Sequence, residues 1–275
     1  MILVPTPLGN LRDITLRALD VLREADAIVA EDTRVARRLL SALGIPAPKL
    51  VHYDEHASRG TLEAILARAR SERIAVVSDA GMPGVSDPGI ELVRHARSSG
   101  VDVEVLPGPS AFVVAAVLAG FDLARFSFEG FVPRTVRGRR DAFTRALASG
   151  MTTVWYDAPP RIAATLETLA ELAPRAPIFV ARELTKMHEQ HLYGTANEVL
   201  AALQKPVRGE IVLVLAPGSI DADGPAPSEA EIDRAIDAAL AAGRAVARIA
   251  KELAAKGLGE RRALYARASR RKRAK

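Results

Sequence analysis

Cysteine is absent from the 275 residues, which removes disulfides, thiolate metal sites, iron–sulfur clusters and a cysteine nucleophile together. Aromatic residues are scarce at 4%, too few for the stacking surface with which single-strand binders hold bases. No apolar run nears the ~18 residues a membrane span needs. The opening residues 1–4 meet Pro5 at once, so the expectation is a cytoplasmic protein with no membrane partner. The glycines nowhere form G-x-G-x-x-G, and Gly84 and Gly89, although at P-loop spacing, are followed by Ile90 and Glu91 instead of Lys and Ser/Thr. Histidines at 52, 56, 95, 188 and 191 form no H-E-x-x-H, so no metal is expected. The G-x-S-x-G elbow of α/β serine hydrolases is missing too.

What is present is an ordinary globular composition, 49% apolar and 26% charged, at a length that suits one large or two medium domains. Net charge is +5, unevenly placed. Residues 261–275 carry eight cations (Arg261, Arg262, Arg267, Arg270, Arg271, Lys272, Arg273 and Lys275) and no acid, leaving the first 260 residues at −3. A weakly acidic body with a basic end reads as an enzyme core with a handle for a polyanion, nucleic acid before others; a solvated tail is the plain alternative.

Short β-branched runs at 2–4, 27–30, 49–52, 74–78 and 101–106 alternate with helical patterns such as Leu16, Leu19, Leu22 and Leu62, Ile65, Leu66. That alternation predicts parallel strands joined by helices. The almost wholly apolar 111–118 predicts a helix buried between layers. Further strands are expected at 126–131, 152–156, 177–181, 188–193 and 210–215, with helices at 137–148, 162–172 and 196–203, in a second α/β domain with a mixed sheet. Thr195 and Glu198 have capping-box spacing. Pro/Gly/Ala/Asp-rich residues 217–227 read as a linker, and Ser228 with Glu231 opens the first of three C-terminal helices, the others at 244–255 and 260–269. The expected division is an α/β domain 1–115, a second α/β domain 116–216, the linker 217–227 and a basic three-helix module 228–275.

Three Gly/Pro-rich turns follow predicted strands, at 5–10, 78–84 and 106–110. In a parallel sheet all three lie at the carboxyl edge, where ligands bind and glycine lets backbone come close. They offer backbone and Asp79 but no basic side chain, which favours a neutral or cationic nucleoside derivative over a triphosphate.

The segments 5–13, 30–34 (Ala-Glu-Asp-Thr-Arg), 77–89 ending in Ser-Asp-Pro-Gly, and 107–111 (Pro-Gly-Pro-Ser-Ala) resemble the ribosomal-RNA branch of the tetrapyrrole-methylase superfamily. The resemblance continues through 130–133, Trp155-Tyr156 with Arg161, 182–186, 209–213 and Ala263-Leu264-Tyr265, and so covers nearly the whole chain. Two departures stand out: Gly81-Met82-Pro83 where that branch has Gly-Thr-Pro, and Asp157-Ala158-Pro159-Pro160 where Glu-Ser-Thr-His is commoner. The resemblance implies an α/β fold of two α/β domains with the cofactor cleft between them and a small C-terminal helical module. It implies S-adenosylmethionine as methyl donor, the ribose 2′-hydroxyl of a decoding-region cytidine in 16S ribosomal RNA, or in the small ribosomal subunit, as acceptor, and a homodimer. Within the same superfamily a C-methyltransferase acting on a tetrapyrrole would use the same cleft, and a noncatalytic ribosome-assembly factor is a third reading.

Carried over residue by residue, the donor lies against Leu8, Gly9, Asp79, Ala80, Gly81, Met82, Pro107, Ser110 and Ala111. Asp79 would accept hydrogen bonds from the ligand or offset its positive charge, unless it merely caps a helix. Deprotonating a ribose hydroxyl needs a base, or a cation that stabilises the alkoxide. Lys186 is the first candidate, as a base whose pKa burial lowers, tuned or held by Glu183; a surface ion pair is its plain alternative. Glu31, Asp32, Thr33 and Arg34 would read the cytosine edge and hold phosphate, or else cap a helix. His52 and His56 are weaker RNA contacts, and Arg161 either binds RNA phosphate or pairs with an acid in the cleft.

Overall fold

β-Branched and small apolar runs, buried on both faces, form the centre of the first α/β layer. The computed structural model describes residues 1–54, 56–204, 206–218, 229–255, 258 and 261–273. The expected linker lies outside the described residues from 219 on, as do Ser228, read as a helix cap, and Glu260. By internal contact the chain divides into two units, one of Met1–Leu118, Ala181–His191 and Arg208–Val212, the other of Ala119–Val180, Leu192–Val207 and Leu213–Lys275.

In the first unit β1 (Ile2–Leu3), β2 (Ala27–Ala30), β3 (Lys49–His52), β4 (Ile74–Val77) and β5 (Glu104–Val105) form one sheet in the order β3-β2-β4-β1-β5. Every pairing in it is parallel. The strand period of two divides the side chains cleanly. Ile2, Ile28, Ala30, Ala75 and Val77 pack with α1 (Leu16–Glu24) and α2 (Thr33–Ala42) on one face. Leu3, Ala27, Val29, Ile74 and Val76 pack with α3 (Arg59–Arg68) and α4 (Gly89–Ser98) on the other. Thr15 and Ser58 cap α1 and α3 through side-chain oxygens, each satisfying a backbone N–H that the first turn leaves unpaired.

α5 (Ala111–Ala119) departs from expectation. Its small residues Ala115, Ala116 and Ala119 are buried, but Val117 is 64% exposed, and Val113 and Leu118 are exposed as well. The helix is therefore covered on one face only. Hydropathy alone suggests both, because apolar residues on a covered face and an open face read alike in sequence.

The second sheet runs β6-β7-β10-β8-β9, with β6 (Phe126–Phe131) and β7 (Thr152–Asp157) parallel, and β8 (Ile178–Arg182), β9 (Gln190–Gly194) and β10 (Ile211–Leu215) beyond. α6 (Val136–Ala148) places Phe143 edge-on to Trp155 at 5.4 Å. The helices α7 (Ile162–Leu172) and α8 (Ala196–Ala202) follow, and Thr195 and Glu198 close both halves of the expected capping box at the start of α8.

α9 (Glu229–Ala241), α10 (Val246–Ala255) and α11 (Arg261–Arg273) bury Ile236, Ile249, Leu253 and Leu264 between them. The basic end is less free than its sequence suggests. Arg267 pairs with Asp233 at 2.6 Å, and Arg271 pairs with Asp233 at 2.8 Å and with Asp237. Two of the eight C-terminal cations thus hold α11 to α9 through fork-shaped contacts.

Candidate functional site

The strand-end turns of the first unit are bound to one another. Thr6 and Gly81 exchange backbone hydrogen bonds, Thr6 N–H to the Gly81 carbonyl at 2.9 Å and the reverse at 3.1 Å, so the turns after β1 and β4 are zipped together. Gly81 sits at φ +81, a conformation that costs an L-residue ~1–2 kcal/mol. A side chain there would touch Leu8 at 3.1 Å. The third turn joins them, since a Cβ on Gly108 would fall 2.6 Å from the ring of Pro5. Leu8, Gly9, Asp79, Ala80, Gly81, Met82, Pro107, Ser110 and Ala111 are thereby gathered at the carboxyl edge of one parallel sheet, with Leu8 and Gly81 buried and Gly9, Asp79 and Pro107 open.

Asp79 carries the link to β2. Its Oδ1 accepts the N–H of Asp32 at 3.1 Å. Burial, with the nearby charges of Asp32 and Glu210, raises its pKa; the Asp32 N–H bond and Arg34 oppose that rise without cancelling it. Asp32 and Glu210 are each paired with a cation, so Asp79, with no ion-pair partner among the described residues, is the carboxylate of this edge suited to a cationic ligand.

Asp32 is the N-cap of α2. Its side chain accepts from Arg34 N–H at 2.8 Å and grips the Arg34 guanidinium at 3.0 and 2.7 Å. Those bonds hold its carboxyl far below the usual range, and they tether Arg34 within its own turn. Thr33 is the first helical residue, and Glu31 lines a narrow cavity with Tyr53, Ser78 and Asp87. His52 and His56 are organised by Asp54, through His52 Nε2 at 3.1 Å and the His56 N–H at 3.0 Å.

The loop after β8 is held in an unusual backbone conformation. Glu183 and Thr185 both lie at positive φ, +55 and +64, although neither is glycine. Strained non-glycine residues of this kind persist only where surroundings hold them, and they concentrate at functional sites. Here Asn10 N–H bonds Thr185 Oγ1 at 3.0 Å, Thr185 N–H bonds Glu189 Oε2 at 2.7 Å, and Glu183 N–H bonds the Glu210 carbonyl at 3.0 Å. Gly9 admits the stem of Lys186, because a Cβ there would lie 2.2 Å from Lys186 Cγ. Gly209 admits Glu183, because a Cβ there would lie 2.0 Å from its Oε1. The Lys186 ammonium ends between two carboxylates, 2.9 Å from Glu183 Oε1 and 3.0 Å from Glu210 Oε2.

This geometry matches the ion-pair alternative for Lys186 and not a lysine with lowered pKa. Burial pulls the ammonium down, but hydrogen bonds to Glu183 and Glu210 and their charges outweigh it, and the pKa is raised. Glu183 shows the converse: burial pushes it up, and the bond and charge of Lys186 more than offset this, so it falls below its ordinary value. Lys186 at neutral pH is a fixed cation. Glu210 is the member that sequence reasoning missed. It stood inside a predicted strand run, and its partner lies 24 positions earlier in the chain.

Arg161, in the second unit, pairs with an acid, and that acid is buried. Its Nη2 meets Asp157 Oδ1 at 3.0 Å, and the carboxylate, with no exposed surface, also accepts from Thr165 Oγ1 at 2.7 Å. The departure at 157–160 thus places a buried anchor for Arg161. Among the described residues no group of three His, Cys, Asp or Glu is placed to hold a metal ion, and no helix is long and apolar enough to cross a membrane.

Comparison with known proteins agrees with the fold. The Tetrapyrrole (Corrin/Porphyrin) Methylases family matches residues 1–200. A Neisseria meningitidis serogroup B protein named ribosomal RNA small subunit methyltransferase I is 43% identical over 268 residues, 95% of this chain and 90% of its own length. A Thermotoga maritima protein of the same name is 40% identical over 218 residues, 78% of this chain and 97% of its own. Among solved structures, a diphthine synthase shares the fold with a TM-score of 0.60 at 17% identity, over 78% of this chain and 89% of that one. The chain belongs to the tetrapyrrole (corrin/porphyrin) methylase family and groups there with the proteins named ribosomal RNA small subunit methyltransferase I.

Proposed function

We propose that the protein transfers a methyl group from S-adenosylmethionine to the ribose 2′-hydroxyl of a decoding-region cytidine in 16S ribosomal RNA. The observation that carries this reading is the fixed Lys186 ammonium, seated over Gly9 beside the zipped strand-end turns. The turns fit the donor: they present open backbone at Gly9, Pro107 and Gly108, and the Asp79 edge is electronegative. When bound, the donor supplies a methyl group already activated on a cationic sulfur. The names of the relatives support RNA as the acceptor class.

In this reading Asp79 would offset the positive charge of the donor, and the backbone of the turns would hold it. Lys186 donates a hydrogen bond to the ribose oxygen as negative charge develops there, a role for a preorganised cation and not for a base. The hydroxyl proton passes to the carboxylate of Glu210, whose side chain is 65% exposed and within reach of the same ammonium. Glu183, more buried, holds Lys186 in place. Arg34 and Asp32 stay bound to each other and steady the β2 end, so base reading falls to Glu31. A cytoplasmic homodimer remains part of the proposal.

Labelled donor incubated with small ribosomal subunits lacking the modification, followed by digestion to nucleosides, tests it. The expected product is 2′-O-methylcytidine. Label on a base, or on a tetrapyrrole precursor offered in parallel while the RNA stays unlabelled, contradicts it.

A further inference from the structure

Helix α2 begins beside the acidic edge, since its N-cap Asp32 is bonded to Asp79, and it carries three arginines at i, i+3 and i+4: Arg34, Arg37 and Arg38. Residues three and four apart share a helix face. The opposite face is anchored in the core by Ala36 and Leu40. All three arginines are exposed, and with Ser41 they line one open depression. The helix itself contains no acid.

The pairing state separates them. Arg34 is occupied by Asp32. Arg37 and Arg38 have no hydrogen bond or ion pair among the described residues. Other arginines among the described residues do take an acid: Arg17 binds Glu104, Arg59 binds Glu63, Arg140 binds Glu171, and Arg267 and Arg271 bind the acids of α9. A pair of adjacent, unneutralised guanidinium groups is unfavourable by itself and suits an external polyanion. Arg38 lies about 9 Å along the helix axis from the Asp32 cap, at the ~1.5 Å rise per residue of an α-helix. The pair is thus positioned to hold chain flanking a nucleotide at the β2 end.

We propose that Arg37 and Arg38, with Ser41, bind backbone phosphates of the acceptor RNA, and that this face of α2 supplies sequence-independent docking beside the site. The inference rests on the reading of the protein as an RNA methyltransferase and adds to it the surface that holds the RNA. Phosphate contact of this kind positions the acceptor without selecting its sequence.

The experiment measures binding of a synthetic RNA spanning the decoding region to the full chain as salt is varied, for wild type and for Arg37→Ala/Arg38→Ala. Two lost phosphate contacts on single-stranded RNA lower the slope of log affinity against log salt by about 1.4, and weaken binding about 25-fold at 0.1 M salt relative to 1 M. Donor binding by calorimetry and the thermal midpoint should match wild type, which shows that the variant is folded. Arg37→Lys/Arg38→Lys should restore most of the slope, because charge is kept. An unchanged slope in the alanine variant overturns the inference, as does wild-type binding to anionic phospholipid vesicles in place of RNA. A wild type that methylates RNA while the alanine variant binds it equally well sinks the docking surface alone. A wild type that neither binds nor methylates RNA sinks the functional reading with it.

Discussion

Replacing Gly209 by Ala probes the strained loop directly, because two separable penalties meet there. Gly209 lies at φ +82, where any L-residue costs ~1–2 kcal/mol. In addition, the new Cβ would fall 2.0 Å from Glu183 Oε1 and 2.1 Å from its Cδ, so the carboxylate must leave Lys186. Losing that half-screened, charge-assisted contact costs about 1–2 kcal/mol more. Gly100 gives the reference: its φ is +67 and nothing lies within 4 Å of its Cβ position, so Gly100→Ala carries the backbone penalty alone. Urea unfolding should therefore rank Gly209→Ala at about 2–4 kcal/mol and Gly100→Ala at about 1–2 kcal/mol of lost stability. With Glu183→Ala as background, Gly209→Ala should shrink to the backbone penalty, a coupling of about 1–2 kcal/mol in the double-mutant cycle. Equal costs at the two glycines, or zero coupling, would refute the placement of Glu183 against Gly209.

Other outcomes follow from the same geometry. Glu183 is depressed, so its contribution is present above about pH 4.5 and lost as pH falls through its folded value. Lys186 is raised, so its contribution is full below about pH 10.5 and lost as pH rises past its folded value. The difference in thermal midpoint between wild type and Glu183→Gln should therefore be flat between those limits and shrink in acid. Asp79 is raised, so its ionised form lowers stability at neutral pH; Asp79→Asn keeps the oxygen that accepts from Asp32 and should raise the midpoint at pH 7. The same variant should weaken donor binding about ten-fold or more by calorimetry. Arg161→Met strips the cation from a carboxylate with no exposed surface, and denaturant titration should show a loss near the low end of ~3–5 kcal/mol. Arg271→Ala should lower the melting midpoint, because it frees α11 from Asp233 and Asp237, while leaving the salt slope of RNA binding as in wild type.

Much of the fold was legible because strand runs such as 27–30, 49–52 and 126–131 are short, β-branched or aromatic, and bounded by turn residues. The capping box at Thr195 was legible for a similar reason, being local chemistry at fixed spacing. The strand expected at 101–106 shrank to Glu104–Val105, since an edge strand beside the two-residue β1 has few partners to pair with. The cover of α5 was not legible, since apolar composition does not say which face meets a neighbour. The turns at the sheet edge could be named from their glycines and prolines, but the Lys186 site could not be completed. Glu210 reaches Lys186 from a distant strand start, and whether a buried lysine is lowered or raised depends on such partners. The same limit applies to the arginines. Sequence counts them, whereas only the fold shows that Arg267 and Arg271 are neutralised while Arg37 and Arg38 have no partner among the described residues.

The central claim is that the turns at 5–10, 78–84 and 106–110 hold the methyl donor beside Lys186, and a crystal structure of the protein grown with S-adenosylmethionine tests it most directly. The account predicts the donor against Asp79–Met82 and Pro107–Ala111, with its sulfur on the side of the Lys186 ammonium. A donor bound away from these turns, or at them with its sulfur turned from Lys186, would contradict it.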